Sequence, residues 1–276
     1  MPNVDTSARI RPSAVIGEHC EVNRKSYIGE WSKLDGSVKI GENVIIGDRV
    51  TVTGGVIVGN GSIIGNGAHL HGDIEIGKNC FIHAAEIGGS AEMYATEQDP
   101  RTHTGKIKIG NNVIIREYVT IHASSQKATM IGNNVFLMVH SHVGHDAEIG
   151  NNVTVSPTAC IGGFAKVHDG AYVGMQATIH QHSTIGAYAM VGMGSVVVKD
   201  IPPFVMVGGT PAKFLGINRR GMERNAFLAA EIAHVTAHPE GQESFGDLFR
   251  LKDIYKNFYD ACYPTRKKLN CGGCKT

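Results

Sequence analysis

Residues 139–150, VHSHVGHDAEIG, hold the densest group of chemically reactive side chains in the sequence. His140, His142 and His145 fall within six positions, and Asp146 directly follows the last of them. Neutral imidazole can accept a proton near neutral pH or bind a metal ion, and a neighbouring carboxylate can orient it. The stretch therefore predicts a proton-transfer site or a metal site, depending on where the fold places each side chain.

An aliphatic residue recurs at every sixth position through most of the chain. The series runs from Ile10 to Ile82, resumes at Ile109, and continues from Ile131 to Val197, often with glycine as the next residue. A period of six fits neither an amphipathic helix nor a simple alternating strand, and it is the signature of hexapeptide repeats. Because each unit supplies one short strand and one corner, we predict an all-β solenoid, a parallel β-helix of hexapeptide repeats.

Two interruptions and one change of pattern divide the chain. The repeat frame is lost near 83–106 and near 122–130, and insertions into a solenoid leave it as loops, often on a binding face. Beyond the sequence IPPF, whose prolines cannot donate to a strand ladder, helical spacing occurs over 221–238 and 244–262.

We therefore predict a β-helix over 1–218 and a small α-helical C-terminal domain over 219–276 that ends in a flexible tail. The tail contains Cys271 and Cys274, a C-x-x-C pair for which a redox or metal-binding role is the alternative to a plain linker.

Composition excludes several broad classes of protein. The formal net charge is +1, which argues against a nucleic-acid or membrane-surface partner. The sequence has no run of eighteen apolar residues, and MPNVDTSARIRPS at its start lacks the apolar segment of a signal peptide. We therefore expect a cytoplasmic protein without a transmembrane segment, whose six cysteines are reduced thiols.

The repeat frame also predicts the position of the histidines. Val143 occupies an inward slot, so His145 and Asp146 fall at a corner, facing solvent or a neighbouring subunit. Three units make one coil, so residues eighteen apart stack, and His145 shares a column with Gly163 and Gln181.

The motifs along these columns resemble those of the UDP-N-acetylglucosamine O-acyltransferase family of lipid A biosynthesis. The matching segments are HVGHD at 142–146, IGG at 161–163, IHQ at 179–181, IGAYAMVG at 185–192, DIPPFV at 200–205, GINRRGMER at 216–224, IREYVTIH at 115–122 and QDPR at 98–101. The resemblance implies a left-handed prism and a homotrimer. It also implies acyl transfer from a thioester donor to a sugar nucleotide, without a permanently bound cofactor or a resident metal.

The same resemblance assigns roles to individual residues. His145 is the general base, Asp146 is its partner, and the backbone N–H of Gly163 stabilises the oxyanion. The residues that match substrate contacts are Asp99 and Arg101 for the sugar nucleotide, His122, His142, His180 and Gln181 for the lining of the cleft, and Asn218 and Arg224 for the nucleotide and its phosphates.

Several positions depart from the family pattern. Phe164 replaces a histidine, Arg220 replaces a glutamate, and Asn225 replaces the second of two arginines, which indicates altered nucleotide recognition. Met193, with Met175 one coil below, occupies the position that limits acyl-chain length. We expect chains of no more than about ten carbons, since each further methylene would lose burial worth about 0.8 kcal/mol. The alternative is that these methionines only pack between subunits.

Other functions remain open on the sequence alone. VGGTPAKF at 207–214 resembles a segment of acetyl-CoA-dependent hexapeptide transferases, so the donor is either an acyl carrier protein or coenzyme A thioester. N-acetylation of an amino sugar nucleotide is the corresponding alternative. His140, His142 and His145 could instead bind zinc, as in a γ-type carbonic anhydrase, or the solenoid could be a non-catalytic scaffold.

Overall fold

The computed structural model describes residues 1–92, 105–239, 241 and 245–262. The strands of its first half are β1 Asn3–Val4, β2 Arg9–Ile10, β3 Val15–Ile16, β4 Glu21–Val22, β5 Tyr27–Ile28, β6 Lys33–Gly36, β7 Lys39–Ile40, β8 Ile45–Ile46, β9 Thr51–Val58, β10 Ile63–Ile64, β11 His69–Ile76, β12 Phe81–Ile82, β13 Glu86–Gly89, β14 Lys106–Ile109 and β15 Ile114–Ile115. The later strands are β16 Thr120–His122, β17 Thr129–Ile131, β18 Phe136–Leu137, β19 His142–Val143, β20 Glu148–Ile149, β21 Thr154–Val155, β22 Cys160–Ile161, β23 Lys166–Val167, β24 Tyr172–Val173, β25 Thr178–Ile179, β26 Thr184–Ile185, β27 Met190–Val191, β28 Val196–Val197, β29 Val205–Gly208 and β30 Lys213–Ile217.

These strands form a parallel β-helix of about eleven coils, as the hexapeptide repeat predicts, and it is left-handed, as the family resemblance implies. A twelve-stranded sheet, which contains β18, β21, β24 and β27, forms one face of the prism. The other two faces form a single eighteen-stranded sheet, because β9 and β11 run continuously around the corner between them. Among the strands of the described residues, only β29 and β30 pair antiparallel.

The core is a stack of aliphatic side chains along the axis of the prism. Val143 pairs with Ile161 and Ile161 with Ile179, and all three are at most 1% exposed. Burying one such side chain stabilises the fold by about 1.5–3 kcal/mol. This repeated contact fixes the register, so each residue at a corner has a predictable neighbour in the next coil.

Side chains of Asn and Asp close several corners of the prism. The N–H of Asn133 donates to Asn151 Oδ1 at 2.9 Å, and the N–H of Asn151 donates to Asp169 Oδ1 at 2.7 Å. In each case the N–H belongs to the second residue after an inward aliphatic residue, and the acceptor lies one coil further along. Corners without an Asn or Asp in the next coil lack this bond, and the corner of Gly163 is one of them.

Both interruptions of the repeat lie on the faces of the eighteen-stranded sheet. Within the first, β13 still pairs with β11, while the chain beyond it returns to the prism at β14. In the second, residues 123–128 separate β16 from β17 and fold against the following coil rather than projecting from it. The second insertion thus lies on the side that carries the histidines, as does β13 in the described part of the first.

The C-terminal helices are α1 Arg219–Arg224, α2 Ala229–Ala237 and α3 Phe249–Cys262. The helical spacing predicted over 221–238 is interrupted between α1 and α2, where Ala226 has a φ of 55°. A separate apolar cluster fixes these helices to the end of the prism through the buried side chains of Phe204, Met222, Phe227, Val235, Leu251 and Tyr255. No described helix has both the length and the apolar character needed to cross a bilayer.

Candidate active site

His145 and Asp146 form a hydrogen-bonded pair at the corner that follows β19. The distance between His145 Nδ1 and Asp146 Oδ2 is 2.8 Å. An ionised carboxylate can only accept, so Nδ1 carries the proton in the neutral ring and Nε2 is left as a free base. The corner position agrees with the repeat frame, but His145 is only 8% exposed in one protomer. Within the protomer its ring is thus largely covered, in part by Gly163 and Phe164, and the other predicted environment, a neighbouring subunit, stays a prediction.

Residues 123–128 surround the carboxylate of Asp146 with donors. Oδ2 accepts from the N–H and the hydroxyl of Ser125 at 2.8 and 2.7 Å, and Oδ1 accepts from the N–H groups of Gln126 and Lys127 at 2.9 and 2.7 Å. Burial alone would raise the pKa of Asp146, but the hydrogen bonds from Ser125, His145 and Lys127 outweigh it and lower the pKa to about 2. The carboxylate thus remains an anion while it holds the imidazole.

This anion makes a pH-dependent contribution to stability. Because the pKa falls from 3.8 to about 2 on folding, the contribution is present above pH 4 and is lost as the pH falls through 2. Asp146 is 2% exposed, so the contribution is on the order of 2 kcal/mol. We expect Asp146→Asn to lower the free energy of unfolding by about this amount at pH 7. The difference from wild type should shrink between about pH 4 and pH 2 in chemical denaturation; a constant difference would contradict the assignment.

Gly163 lies against the ring of His145 in the next coil. A Cβ atom built on Gly163 would lie 2.6 Å from Nε2 and 2.8 Å from Cε1 of His145. Only a residue without a side chain leaves room here for the imidazole and for a reacting group beside it. The stacking of His145 on Gly163, predicted from their spacing of eighteen residues, is confirmed by this contact.

The N–H of Gly163 is available to a ligand. It occupies the corner slot that Asn133 and Asn151 occupy elsewhere, where an Asn or Asp of the next coil accepts the hydrogen bond. At this corner the residue one coil further along is Gln181, and the Gly163 N–H has no partner among the described residues. A free N–H beside a basic nitrogen can stabilise an oxyanion. The absence of Asn or Asp one coil further along is visible in the sequence, but it is shared by other corners, such as that of Met175, and does not identify this one alone.

Phe164 packs between two histidines of the same corner. Its ring meets that of His145 edge-on at a centroid distance of 5.1 Å and stacks on that of His182 at 4.8 Å. Asp146, Phe164 and His182 all have φ between 58° and 64°, a conformation that Asn adopts at other corners. Replacing the family's histidine by Phe164 therefore substitutes an apolar wall for a polar contact beside the base.

His122 and His142 line the face next to the pair. Their ring centroids are 4.8 Å apart, and His142 Nδ1 lies 2.7 Å from Thr120 Oγ1. Burial lowers the pKa of both rings, and the charge of His145 adds to this effect, whereas Glu92 acts in the opposite direction. The rings of His122 and His142 thus lie in an environment that favours their neutral form.

The other predicted cleft residues are more open. His180 and Gln181 are exposed two coils beyond His145, and His180 Nδ1 lies 2.9 Å from the carbonyl oxygen of Gln181. His140 stacks on Tyr118 at 4.9 Å at a different corner, so the trio proposed for the zinc alternative does not converge. Asp99 and Arg101 lie outside the described residues.

Asn218 and Arg224 line a separate cavity of about 720 Å³. Its walls combine apolar side chains of the twelve-stranded sheet, such as Tyr172 and Met190, with basic residues that include Arg220. The amide of Asn218 caps α1 by accepting from Gly221 N–H at 3.0 Å and donates to the Tyr188 carbonyl at 2.8 Å. This cavity lies on a different face of the protomer from His145.

Met175 and Met193 lie one coil apart at the corner that precedes β25 and β28. They are 47% and 78% exposed. The strands between this corner and that of His145 carry Cys160 and Thr178 outward. An extended chain held at Gly163 could therefore run along this face toward Met193.

Matches to protein families cover both parts of the chain. Residues 37–72 and 128–163 match the family described as bacterial transferase hexapeptide (six repeats). Residues 200–238 match the second domain of UDP-N-acetylglucosamine O-acyltransferase.

Similar proteins extend over most of the length. An acyl-[acyl-carrier-protein]--UDP-N-acetylglucosamine O-acyltransferase from Thermodesulfovibrio yellowstonii is 39% identical over 79% of this chain and 78% of its own. One from Saccharophagus degradans is 38% identical over 81% and 80%. The solved Arabidopsis UDP-N-acetylglucosamine acyltransferase is 29% identical and covers 95% of this chain and 91% of its own, with a TM-score of 0.71. Its repeats, its His–Asp corner and these relatives show that the chain is an acyltransferase that belongs to the UDP-N-acetylglucosamine O-acyltransferase family.

Proposed function

We propose that this protein transfers an acyl group from an acyl carrier protein thioester to a hydroxyl of UDP-N-acetylglucosamine. The names of its relatives give the substrates. The observation that carries the proposal is the contact of the His145–Asp146 pair with Gly163, whose N–H is free within the described chain. We also propose that the reaction takes place in the cytoplasm, as the sequence predicts.

The geometry assigns each step to a residue. His145 Nε2 removes the proton from the sugar hydroxyl as its oxygen attacks the thioester carbonyl. The Gly163 N–H stabilises the negative charge on the former carbonyl oxygen, and Asp146 stabilises the imidazolium. The tetrahedral intermediate then collapses to the ester, and the departing carrier thiolate takes the proton back from His145.

We propose that the active enzyme is a homotrimer. Outward-facing apolar residues follow the twelve-stranded sheet, and several are at least 36% exposed: Ile45, Phe81, Ile114, Tyr172 and Met190. An exposed apolar stripe of this length is typical of a subunit interface. In a threefold assembly, this face of one subunit would pack against the His145 corner of its neighbour. The cavity lined by Asn218 and Arg224 would then lie next to the general base His145 of that neighbour. The nucleotide would bind there, with the guanidinium of Arg224 suited to its phosphates.

A screen of acyl donors tests the proposed function. The purified protein is incubated with UDP-N-acetylglucosamine and either acetyl-CoA or hydroxyacyl carrier proteins of graded length, and the products are identified by mass. We expect an O-acylated product from carrier proteins with chains of no more than about ten carbons, because Met193 occupies the end of the path. If only acetyl-CoA serves as the donor, or if only the amine of an amino sugar nucleotide is acylated, the proposal is wrong. The protein would then be an N-acetyltransferase, the alternative given above.

Met193→Gly provides a second arm of that screen. Removing an exposed side chain at the corner lengthens the path without disturbing the buried stack, so we expect the preferred donor to become longer. Met175 lies one coil lower, so Met175→Gly should also lengthen the preferred acyl chain if the bound acyl chain extends to that residue. An unchanged profile in Met193→Gly would mean that the methionine only packs between subunits.

A further inference from the structure

We propose that Arg250 is a positioning residue for the sugar nucleotide, because it holds the helix that carries Arg224. This inference rests on the proposed function, in which the nucleotide binds in the cavity lined by Asn218 and Arg224. Arg250 is the second residue of α3 and is exposed. Its side chain reaches the end of α1, so it would act on the nucleotide through Arg224.

The helix α1 depends on contacts outside itself. At six residues it is too short to be stable alone. Its start is tied to the prism by Asn218, whose side chain donates to the Tyr188 carbonyl at 2.8 Å. Just beyond its end the chain turns through Ala226, whose φ of 55° is uncommon outside Gly, Asn and Asp and persists only where the surroundings enforce it. Arg224, the last residue of the helix, takes its position from this turn.

The guanidinium of Arg250 holds this turn through three contacts. Its Nη2 donates to the Asn225 carbonyl oxygen at 3.2 Å, and its Nη1 donates to the Ala226 carbonyl oxygen at 3.4 Å. Its Cζ lies 3.6 Å from the centroid of the Phe227 ring, in a cation–π contact. Phe227 is 6% exposed, so the ring offers a fixed surface. A planar fork of donors can make these contacts together, whereas the ammonium group of lysine cannot.

Loss of these contacts should weaken nucleotide binding and leave the acyl-transfer step intact. A guanidinium binds two phosphate oxygens at once only where its fork is correctly placed, so Arg224 depends on the position of α1. The His145–Asp146 pair is built from the prism and residues 123–128. Arg250→Ala should therefore raise KM for UDP-N-acetylglucosamine about 10-fold and leave kcat within about twofold, the pattern of lost uniform binding.

The test is titration calorimetry of the full-length chain with UDP-N-acetylglucosamine, which needs no acyl transfer. Arg224→Ala should weaken binding about 10–100-fold, as for hydrogen bonds between charged groups, and Arg250→Ala about 10-fold. Arg250→Lys keeps the charge but loses the fork, so it should bind as weakly as Arg250→Ala. Wild-type affinity in Arg250→Lys would mean that the charge alone matters, and would overturn the positioning role.

Lys256→Ala is the matched control, since it removes another exposed cation of α3 and should bind the nucleotide as wild type does. Leu251 and Tyr255 are at most 1% exposed and hold α3 in place, so Arg250→Ala should unfold at nearly the wild-type temperature. Loss of binding in the control, or unfolding of Arg250→Ala well below wild type, would show a structural role only.

The double variant Arg224→Ala/Arg250→Ala tests whether Arg250 acts through Arg224. If it does, the second substitution should weaken binding by less than about twofold beyond the first, because the coupled residue is already gone. Losses that multiply in full would contradict the inference. Wild-type affinity in Arg224→Ala, or no binding by the wild type, would refute the proposed nucleotide site itself. Weak binding in Arg224→Ala with normal binding in Arg250→Ala would refute the positioning role alone.

Discussion

Replacing His145 by Asn should lower kcat/KM by about 10²–10⁴-fold, the usual contribution of a general base. The substitution removes the ring nitrogen that faces Gly163, while the amide can still donate to Asp146 in place of Nδ1. Binding of the sugar nucleotide should change little, so the loss should appear in kcat. Steady-state kinetics with the acyl donor identified in the screen measures both parameters.

His140→Asn is the matched control for this variant. His140 lies at another corner, stacks on Tyr118 at 4.9 Å, and has a φ of 58° that Asn tolerates. It should retain wild-type activity, and both variants should unfold at the temperature of wild type. Full activity in His145→Asn would favour the scaffold hypothesis. Loss of activity in both variants would instead support the alternative in which His140, His142 and His145 bind zinc.

The repeat made the prism and its columns predictable. A period of six identifies the inward residues, and a spacing of eighteen predicts that Gly163 lies beside His145. Such predictions succeed because each coil repeats one backbone path, so sequence separation translates directly into distance.

Contacts made by the insertions could not be predicted in this way. The donors that Ser125 and Lys127 offer to Asp146, and the approach of Glu92 to His122, depend on loop paths that follow no period. The repeat also gave no indication that the Asn218 side chain caps a helix, because α1 begins where the repeat ends. Non-repetitive segments thus determine the electrostatics of a site whose geometry the repeat fixes.

Gly163→Ala should abolish most of the activity through a single methyl group. The added Cβ would lie 2.6 Å from His145 Nε2, so the ring must move and the path to the Gly163 N–H must close. The loss of an oxyanion donor costs about 10²–10³-fold in kcat, and displacement of the base adds to it. Since the clash involves a side chain rather than backbone, the prism should remain folded.

Gly55→Ala separates this effect from a general intolerance of the prism to larger residues. Gly55 lies in β9, far along the prism from the His145 corner, and a Cβ there would come no closer than 4.0 Å to Gly72 O. We expect this variant to keep wild-type kcat and thermal stability, while Gly163→Ala keeps only the stability. Near-normal turnover in Gly163→Ala would mean that neither the N–H of Gly163 nor the position of the His145 ring limits the reaction, and the proposed mechanism would then fail at its central contact.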